Sequence, residues 1–490
     1  MYRLLFLLTI TCSCSAQPPS VIDVAKNISA ESMKKNLYAL ASPEMEGRGI
    51  ATKGDTMASV MVQSWFAAHG LLAPYDQGRN YFQQVSVNRI TAAGSLTVGS
   101  VVYGPGKGWM ELSHLSVNVP AAPVLMTFYR NPGELKAAAA SADVKGKIVL
   151  IEGDVFIPML RDGSIDSVEA IFKKNGAVAV AFYSLALDND LERQTAGSVE
   201  RYERPDAPSS NVEGILPEIM LTVGIVDELL RVDGMTAVSA VRPGREPVLL
   251  KSSMAVDVRV TKQPATAPNV IGILPGSDPS LPVIIFSAHH DHDGIRNGVL
   301  YPGAVDNASG TVAIMEVASL MQQAAKKGLH PKRTIVFASF TGEEAGLLGS
   351  FWYAGHPVHS MEKTKAVLNI DMLGRVDTFH AGRRADSNYA YILVKDTVGR
   401  GLRKSLVAAN HPFVGLDLDP FYEDPKREPR RLMGSDQYPF FLKGVPFVRI
   451  DCGFAADYHR PTDTPDKINY DLLKRQTQLV FLTLWNLAND

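Results

Sequence analysis

The chain has 490 residues, of which 46% are hydrophobic and 20% charged, a composition typical of soluble globular proteins of more than one domain. Lys+Arg number 49 and Asp+Glu 51, and the formal net charge of −2 excludes the basic excess expected of a nucleic-acid-binding protein. The apolar content excludes a disordered chain, and no apolar run reaches the roughly 18 residues that a membrane-spanning helix needs.

Residues 1–16 have the features of an export signal. One basic residue, Arg3, precedes an apolar run, and small or polar residues follow as far as Ala16. This order predicts a secretory signal peptide, with cleavage before Gln17, and therefore an exported protein that is periplasmic or secreted. The residues around the two cysteines of this segment fit a lipoprotein signal poorly, which makes lipid anchoring the less favoured alternative.

The predicted elements then fall into three stretches. From Val21 to Leu72 the apolar spacing is helical, with a break at Ser42-Pro43. Alternation at Tyr81–Val87 and Ser95–Val102 predicts two strands. Residues 112–248 hold three short strands and two helices, which predict a compact α+β unit inserted between flanks that belong together. The predicted strands of this unit are Val124–Tyr129, Lys147–Ile151 and Ala177–Phe182, and its predicted helices are Ser167–Asn175 and Asp227–Val232.

From residue 269 onward, strand-like and helical segments alternate. This alternation predicts an α/β fold with a mostly parallel, doubly wound sheet flanked by helices. The predicted strands are Val270–Leu274, Val283–Ala288, Thr334–Phe340, Val367–Ile370, Tyr391–Val394 and Pro446–Ile450. The predicted helices are Gly310–Ala325, Leu347–Ala354, Val398–Ala409 and Tyr470–Asn489.

Ligands bind beyond the carboxyl ends of the strands in such sheets, and that is where the chemically active residues of this sequence occur. Five segments that follow strands or precede the first long helix carry His or carboxylate residues. They are 289–293 (His-His-Asp-His-Asp), 303–310 around Asp306, 341–346 with Glu343-Glu344, 371–375 from Asp371 to Arg375, and 451–459, which ends in Tyr458-His459. Histidine and carboxylate ligands without thiolates suit zinc, or less exclusively manganese or cobalt.

These motifs resemble peptidase family M28, the di-zinc aminopeptidase group, together with Glu46-Gly47-Arg48-Gly49 and Thr52-Lys53-Gly54 near the start. The resemblance implies a phosphorylase/hydrolase-like zinc peptidase fold. After the predicted signal peptide at 1–16, it implies a peptidase domain formed by 17–111 and 249–490. Residues 112–248, with the segments 144–149 and 175–177, resemble an inserted protease-associated-like (PA-like) domain. Peptides are the implied substrates.

The resemblance also assigns residue roles. Asp306 is expected to bridge two zinc ions, with His289 and Asp371 on one ion and Glu344 and His459 on the other. Manganese or cobalt are the alternative ions.

Around these ligands the resemblance makes Glu343 the general base for a metal-bridged water. Asp291 is expected to orient the His289 ring from behind. His290 and His292 are predicted to be packing or rim residues.

The substrate pocket is less well defined by the sequence. Many relatives carry Ser-Asp-His where this chain has Ser435-Asp436-Gln437, which weakens the transfer of roles to this segment. The pocket candidates are Arg375, Tyr422, Ser435, Asp436 and Tyr438, with Tyr422 and Tyr438 also considered as oxyanion stabilisers.

Three activities stay open at this stage. The leading one is an exported exopeptidase that releases N-terminal residues. A carboxypeptidase or dipeptidase would use Arg375, Arg430 or Arg431 to clamp a substrate carboxylate. A receptor-like binding protein, or a relative that cyclises N-terminal glutamine, is less favoured because all five ligands and the base are present.

Overall fold

The computed structural model describes residues 20–112, 116–127, 133–135, 143–152, 165–185, 188, 195, 199–206, 216–240, 246–381 and 388–490. The predicted signal peptide lies outside these residues, as do parts of the predicted insertion. Among the helices of the described ranges, none combines the length and apolar character that crossing a membrane requires.

The structure contains helices and strands in alternation along most of the described chain. The helices are α1 Val21–Lys26, α2 Ala30–Leu40, α3 Lys53–His69, α4 Ile165–Lys174, α5 Val223–Leu230, α6 Ala237–Ala240, α7 Ser309–Lys326, α8 Leu348–Gly355, α9 Leu402–Asn410, α10 Glu428–Met433, α11 Gln437–Leu442 and α12 Tyr470–Asn489. The strands are β1 Phe82–Val98, β2 Val101–Tyr103, β3 Trp109–Glu111, β4 Val117–Thr127, β5 Ile148–Glu152, β6 Ala179–Tyr183, β7 Glu200–Glu203, β8 Glu218–Leu221, β9 Val248–Leu274, β10 Val283–His289, β11 Ile295–Arg296, β12 Val299–Leu300, β13 Ile335–Phe340, β14 Thr364–Ile370, β15 Tyr389–Lys395, β16 Asp417–Asp419 and β17 Phe447–Asp451.

The C-terminal half is the predicted doubly wound sheet. Strands β13, β10, β14 and β17 are parallel neighbours, and β9 and β15 flank them in the antiparallel sense. Alternate side chains of β10 enter different cores: Ile284 and Phe286 pack with α1–α3, α7 and α12, whereas Ile285 packs with Tyr353 of α8 and Phe440 of α11. Both faces are therefore covered by helices, and the α/β prediction is confirmed.

The middle stretch builds a second layered unit on the same sheet. Strands β4, β5, β6 and β8 are parallel neighbours, and β3 closes their edge antiparallel to β8. Along β5, Leu150 packs on the side of α5, and Val149 packs on the other side with Phe172 of α4. This unit has core clusters of its own, separate from those of the C-terminal half.

One long antiparallel ribbon joins the two units, and it departs from the sequence prediction. The two predicted strands at 81–87 and 95–102 are mostly one strand, β1, which pairs along the 27-residue β9. The sequence analysis predicted only the last part of β9, Val270–Leu274. Pro264 and Pro268 lie in the part of β9 that pairs with β1 alone, among the described strands, between its contacts with β4 and β13. One side of the strand is free there, which suits residues that cannot donate a ladder hydrogen bond.

The parallel strands bring their carboxyl ends to one edge of the sheet. Strand β10 ends at His289, β13 at Phe340, β14 at Ile370 and β17 at Asp451. Each strand is followed at once by one of the His- or carboxylate-bearing segments. The fold therefore gathers residues that are more than 160 positions apart in the sequence.

Candidate metal centre

The five predicted ligands lie in one cluster at this edge of the sheet. His289, Asp306 and Asp371 form one group of potential ligand atoms, and Asp306, Glu344 and His459 belong to a second. Asp306 is shared by the two groups. This arrangement matches what a dinuclear site requires, namely one carboxylate between two sets of terminal ligands.

The two oxygens of Asp306 face different groups. Its Oδ1 lies 3.4 Å from Nε2 of His289, which in turn lies 3.3 Å from Oδ1 of Asp371. Its Oδ2 lies 3.0 Å from Nε2 of His459, which lies 3.2 Å from Oε2 of Glu344.

These separations fit metal coordination. Two ligand atoms on a single tetrahedral zinc ion lie about 3.3–3.5 Å apart, given zinc–nitrogen and zinc–oxygen bonds of about 2.0–2.2 Å. The two distances at His289, 3.3 and 3.4 Å, lie in this range, and the two at His459, 3.0 and 3.2 Å, are slightly shorter. Nitrogen and carboxylate oxygen donors also suit zinc, so the residues present fit this ion.

Glu343 lies beside the cluster without belonging to either group. Its Oε2 is 4.0 Å from Nε2 of His289. Its side chain is 13% exposed, against 1% for His289 and 5% for Asp306. Burial and the neighbouring carboxylates raise the pKa of Glu343 well above its ordinary value.

Asp291 supports both the His289 ring and the Glu343-Glu344 pair. Nδ1 of His289 lies 3.2 Å from the Asp291 carbonyl oxygen and 3.6 Å from its carboxylate. The same carboxylate accepts hydrogen bonds from the backbone N–H groups of Glu343 at 3.1 Å and Glu344 at 3.3 Å. One side chain therefore aligns two of the five cluster segments.

The histidine after the first ligand has a structural role. His290 is fully buried, with Nε2 3.1 Å from Asp55 of α3 and Nδ1 3.0 Å from Ser339 Oγ of β13. These contacts agree with the packing role predicted for His290. They fix the end of β10 between a helix and the neighbouring strand.

His292, which was predicted to be a packing or rim residue, is buried and contacts one of the predicted ligands. Its Nδ1 lies 2.7 Å from Oε1 of Glu344, and it joins the ligand group of His459. The next residue, Asp293, has one carboxylate oxygen 3.7 Å from Nδ1 of His459 and forms an ion pair with Arg296. The sequence did not indicate these contacts, because His292 and Asp293 lie in a loop, where no helical or strand periodicity shows which way a side chain points.

Arg48 fastens two metal-binding loops to each other. It is fully buried and donates four hydrogen bonds to backbone carbonyls, including those of His290, Pro302 and Gly303. On the other side of the bridging loop, Asp463 accepts from the backbone N–H groups of Val305 and Asp306. The Glu46–Gly49 motif therefore stabilises loops that lie more than 240 positions later in the sequence.

We expect Arg48→Met to lower the free energy of unfolding by about 3 kcal/mol or more, because four buried carbonyls lose a charged donor. Urea unfolding curves in the presence of zinc measure this. Arg79→Met is the matched control, since the Arg79 side chain is 70% exposed. Equal stabilities of the two variants would contradict the role given to Arg48.

A second buried arginine supports Asp371. Nη2 of Arg449 donates to Asp371 Oδ2 at 2.9 Å, and its Nε donates to Asp451 at 3.1 Å. Asp451 also forms an ion pair with Arg431 at 2.5 Å. The guanidinium of Arg431 lies against the Tyr422 ring. Arg449 lies inside a predicted strand, where the sequence pattern suggested a hydrophobic element and no site residue.

Two of the predicted pocket residues, Ser435 and Asp436, are fully buried. Ser435 Oγ accepts a hydrogen bond from Asn369 of β14, two residues before Asp371. Burial raises the pKa of Asp436 to about 7. Neither side chain lines the cavity beside the cluster, and their place in a substrate pocket stays a prediction.

The other three pocket candidates are half-buried and engaged. Arg375 donates to Asp457 at 2.7 Å. Tyr422 lies over Arg431, and the Tyr438 ring contacts Phe351 of α8 in an edge-on arrangement. None of the three has a described contact with the five ligands.

Tyr458 is the aromatic residue that the sequence analysis did not select. Its ring lies 3.9 Å from that of His459. Burial and the charges of the cluster carboxylates raise the pKa of its hydroxyl well above the ordinary value. Its position immediately before the ligand histidine was the available signal.

A cavity of about 690 Å³ opens beside the cluster, a size that suits a small ligand. Asp291, His292, Asp293 and Glu344 form its wall on the side of the cluster. Residues 199–202, which include most of β7, come from the other side. Both structural units therefore contribute to the cavity.

Comparison with known proteins is consistent with this geometry. The model for "Peptidase family M28" matches residues 269–484, which contain all five ligand positions and Glu343. A probable zinc metalloprotease of Leptosphaeria maculans is 28% identical over 254 residues, covering 47% of this chain and 54% of that protein. A probable leucine aminopeptidase 2 of Aspergillus oryzae is 24% identical over 375 residues, covering 71% of this chain and 64% of that protein.

The fold also has a relative of known structure. An aminopeptidase from Aneurinibacillus sp. strain AM-1 superimposes with a TM-score of 0.63 at 19% identity, covering 96% of each chain. The chain spans only about half the length of the first curated relatives that it matches. The family model therefore matches the part of the chain that carries the sheet-edge residues, and the chain shares its fold with an aminopeptidase of known structure.

Proposed function

We propose that this protein is a zinc-dependent exopeptidase that removes N-terminal residues from peptides. The observation that carries the proposal is the position of Glu343 beside two ligand groups that share Asp306. The names of the two sequence relatives, a zinc metalloprotease and a leucine aminopeptidase, point to the same chemistry.

His289 and Asp371 would hold one zinc ion and Glu344 and His459 a second, and Asp306 belongs to both ligand groups. Zinc would supply a water molecule of lowered pKa and would polarise the scissile carbonyl. The chain's own residues hold the ligands in place: Asp291 fixes His289, Arg449 fixes Asp371, and Asp463 fixes the backbone of Asp306. Little reorganisation is then needed when a substrate binds.

Glu343 performs the proton transfers. As a carboxylate beside the ligand groups, it can accept the proton of the attacking water and return it to the amine that leaves. Its side chain is held at its base by the hydrogen bond between its N–H and Asp291. No covalent intermediate is required, since the water attacks the carbonyl directly.

Tyr458 is the hydroxyl best placed to stabilise the oxyanion. Its hydroxyl stays protonated because its pKa is raised by burial and by the cluster carboxylates, so it can donate a hydrogen bond. The stacking of its ring on His459 restricts its orientation.

We expect Tyr458→Phe to lower kcat by about 10²-fold, the usual loss for one oxyanion donor, with little change in zinc content. Steady-state kinetics on an unblocked peptide measures this. Tyr438→Phe, in a half-buried tyrosine that contacts Phe351, is the matched control. An unchanged kcat for Tyr458→Phe would remove Tyr458 from the mechanism.

Two charge arrangements favour the N-terminal over the C-terminal end of a substrate. A carboxypeptidase needs an available cation, yet Arg375 is paired with Asp457, Arg431 is buried against Asp451, and Arg430 is exposed but does not line the cavity. The cavity lining has more carboxylates than cations, which suits a substrate ammonium group: Glu200, Asp291, Asp293 and Glu344 against Arg201 and Arg296. We therefore favour aminopeptidase over carboxypeptidase or dipeptidase activity.

A peptide panel tests this directly. Peptides with a free amine, an acetylated amine or an amidated carboxyl end are incubated with the protein, with and without a chelator and added zinc. We expect zinc-dependent release of N-terminal residues from free-amine and C-amidated peptides, and none from acetylated ones. Cleavage that tolerates acetylation but fails on C-amides would assign a carboxypeptidase instead.

The location and the middle unit complete the proposal. We propose export through residues 1–16, and a PA-like identity for residues 112–248 between peptidase segments 17–111 and 249–490. The order of parallel strands in the middle unit and its separate core support a distinct insertion.

Mass spectrometry of the exported protein should give a chain that begins at Gln17; a retained N-terminal segment would contradict export by cleavage.

A further inference from the structure

Each of the two terminal carboxylates of the cluster uses its two oxygens differently. Oε2 of Glu344 lies 3.2 Å from the ligand nitrogen of His459, while its Oε1 lies 2.7 Å from Nδ1 of His292. Oδ1 of Asp371 lies 3.3 Å from the ligand nitrogen of His289, while its Oδ2 accepts from Arg449 at 2.9 Å. One oxygen faces the cluster and the other is held from outside it.

The contact of His292 has the length of a hydrogen bond. Two ligands of one tetrahedral zinc ion are about 3.3–3.5 Å apart, so 2.7 Å is too short for His292 Nδ1 and Glu344 Oε1 to share an ion. A carboxylate can only accept, so the Nδ1–H group donates. Arg449 cannot bind a cation either, because a guanidinium has donors alone.

Both residues are fixed by their surroundings. A Cβ atom at Gly303 would lie 2.4 Å from the His292 ring, so the ring occupies the space over this glycine in the bridging loop. The rings of His292 and His459 meet edge to face with 5.4 Å between centroids. Arg449 is fully buried and also donates to Asp451 and to the Gly434 carbonyl.

We propose that His292 and Arg449 are positioning residues, each holding one oxygen of a metal-binding carboxylate, so that Glu344 and Asp371 bind zinc through the other oxygen alone. Each residue then sets the affinity of one ion: His292 for the ion at Glu344 and His459, and Arg449 for the ion at His289 and Asp371. This inference rests on the metal centre of the proposed function.

The physical reason is preorganisation. A carboxylate free to rotate has to lose that freedom on binding, and it can also take an ion with both oxygens. Fixing one oxygen removes both alternatives and keeps a coordination position open. Loss of such an outer partner typically weakens metal binding 10- to 100-fold.

The test measures zinc affinity, which does not depend on turnover. Metal-free protein is titrated with zinc by calorimetry, in competition with a chelator of known affinity. His292→Leu removes the donor, and His292→Asn keeps an N–H close to the position of Nδ1. We expect about 10- to 100-fold weaker binding of one ion in His292→Leu, near wild-type binding in His292→Asn, and weaker binding of the other ion in Arg449→Lys.

Single-site backgrounds identify which ion responds. In Asp371→Asn, the remaining strong ion should weaken when His292→Leu is added. In Glu344→Gln, the remaining ion should not respond to His292→Leu. If His292→Leu fails to fold, His292→Gln replaces it, because its amide reaches the Nε2 position and not the Nδ1 position.

The outcomes separate this inference from the proposed function. A wild-type protein that binds no zinc would overturn both. Two ions in the wild type, bound as tightly in His292→Leu or in His292→Gln, would overturn the role of His292 and leave the proposed function standing. Equal weakening of both ions by His292→Leu would also contradict the assignment of one residue to one ion.

Discussion

Glu343→Gln is expected to lower kcat about 10²–10⁴-fold while both ions stay bound. Glutamine has nearly the same shape but cannot accept a proton, so the step that activates water is lost. Glu343 belongs to neither ligand group, and its N–H contact with Asp291 is unaffected by the change. Steady-state kinetics and the zinc content of the purified variant together measure the effect.

The control for this prediction is Glu362→Gln, which changes an exposed glutamate by the same atoms. It should keep wild-type kcat and zinc content. A Glu343→Gln variant with two ions and kcat within a few-fold of wild type would show that another group takes the proton. Loss of zinc from that variant would instead mean that Glu343 is a ligand.

Asp306→Asn is expected to weaken the binding of both zinc ions. Its two oxygens lie in different ligand groups, and asparagine offers a single neutral oxygen in their place. We expect zinc affinity to fall more than about 100-fold at both positions, beyond the loss typical of an outer partner. Activity at ordinary zinc concentrations should fall to background.

Asp371→Asn provides the contrast, because Asp371 belongs to one group. It should leave one ion tightly bound per chain, whereas Asp306→Asn leaves none. Asp466→Asn, at an exposed position, controls for the loss of a charge. Metal analysis of the three variants after dialysis decides the matter; one retained ion in Asp306→Asn would contradict the bridging role.

The ligand positions could be predicted because two features of the sequence indicate them: a buried strand, and a polar segment directly after it. Buried runs such as 283–288 and 335–340 have a clear strand pattern, and each stops where His289 or Thr341 begins a polar segment. Because the strands are parallel, their carboxyl ends lie at one edge of the sheet. Identifying each strand and its end was therefore enough to predict that the ligands lie close together.

The supporting residues could not be predicted in the same way. Arg48 and Arg449 act on loops that lie far away in the sequence, and their burial follows from the tertiary fold alone. His292 and Asp293 follow the ligand His289 in a loop, and a loop has no repeating pattern from which the direction of their side chains could be predicted. Only Val270–Leu274 of the 27-residue β9 was predicted as a strand, because the rest of β9 owes its length to its pairing with β1, which lies far away in the sequence.

Zinc titration of the metal-free protein, followed by release of the N-terminal residue from an unblocked peptide, tests the central claim most directly. The account predicts two bound ions per chain, turnover that depends on them, and no release from the same peptide once its amine is acetylated. Turnover in the complete absence of metal, or two bound ions with no cleavage of any peptide, would contradict it.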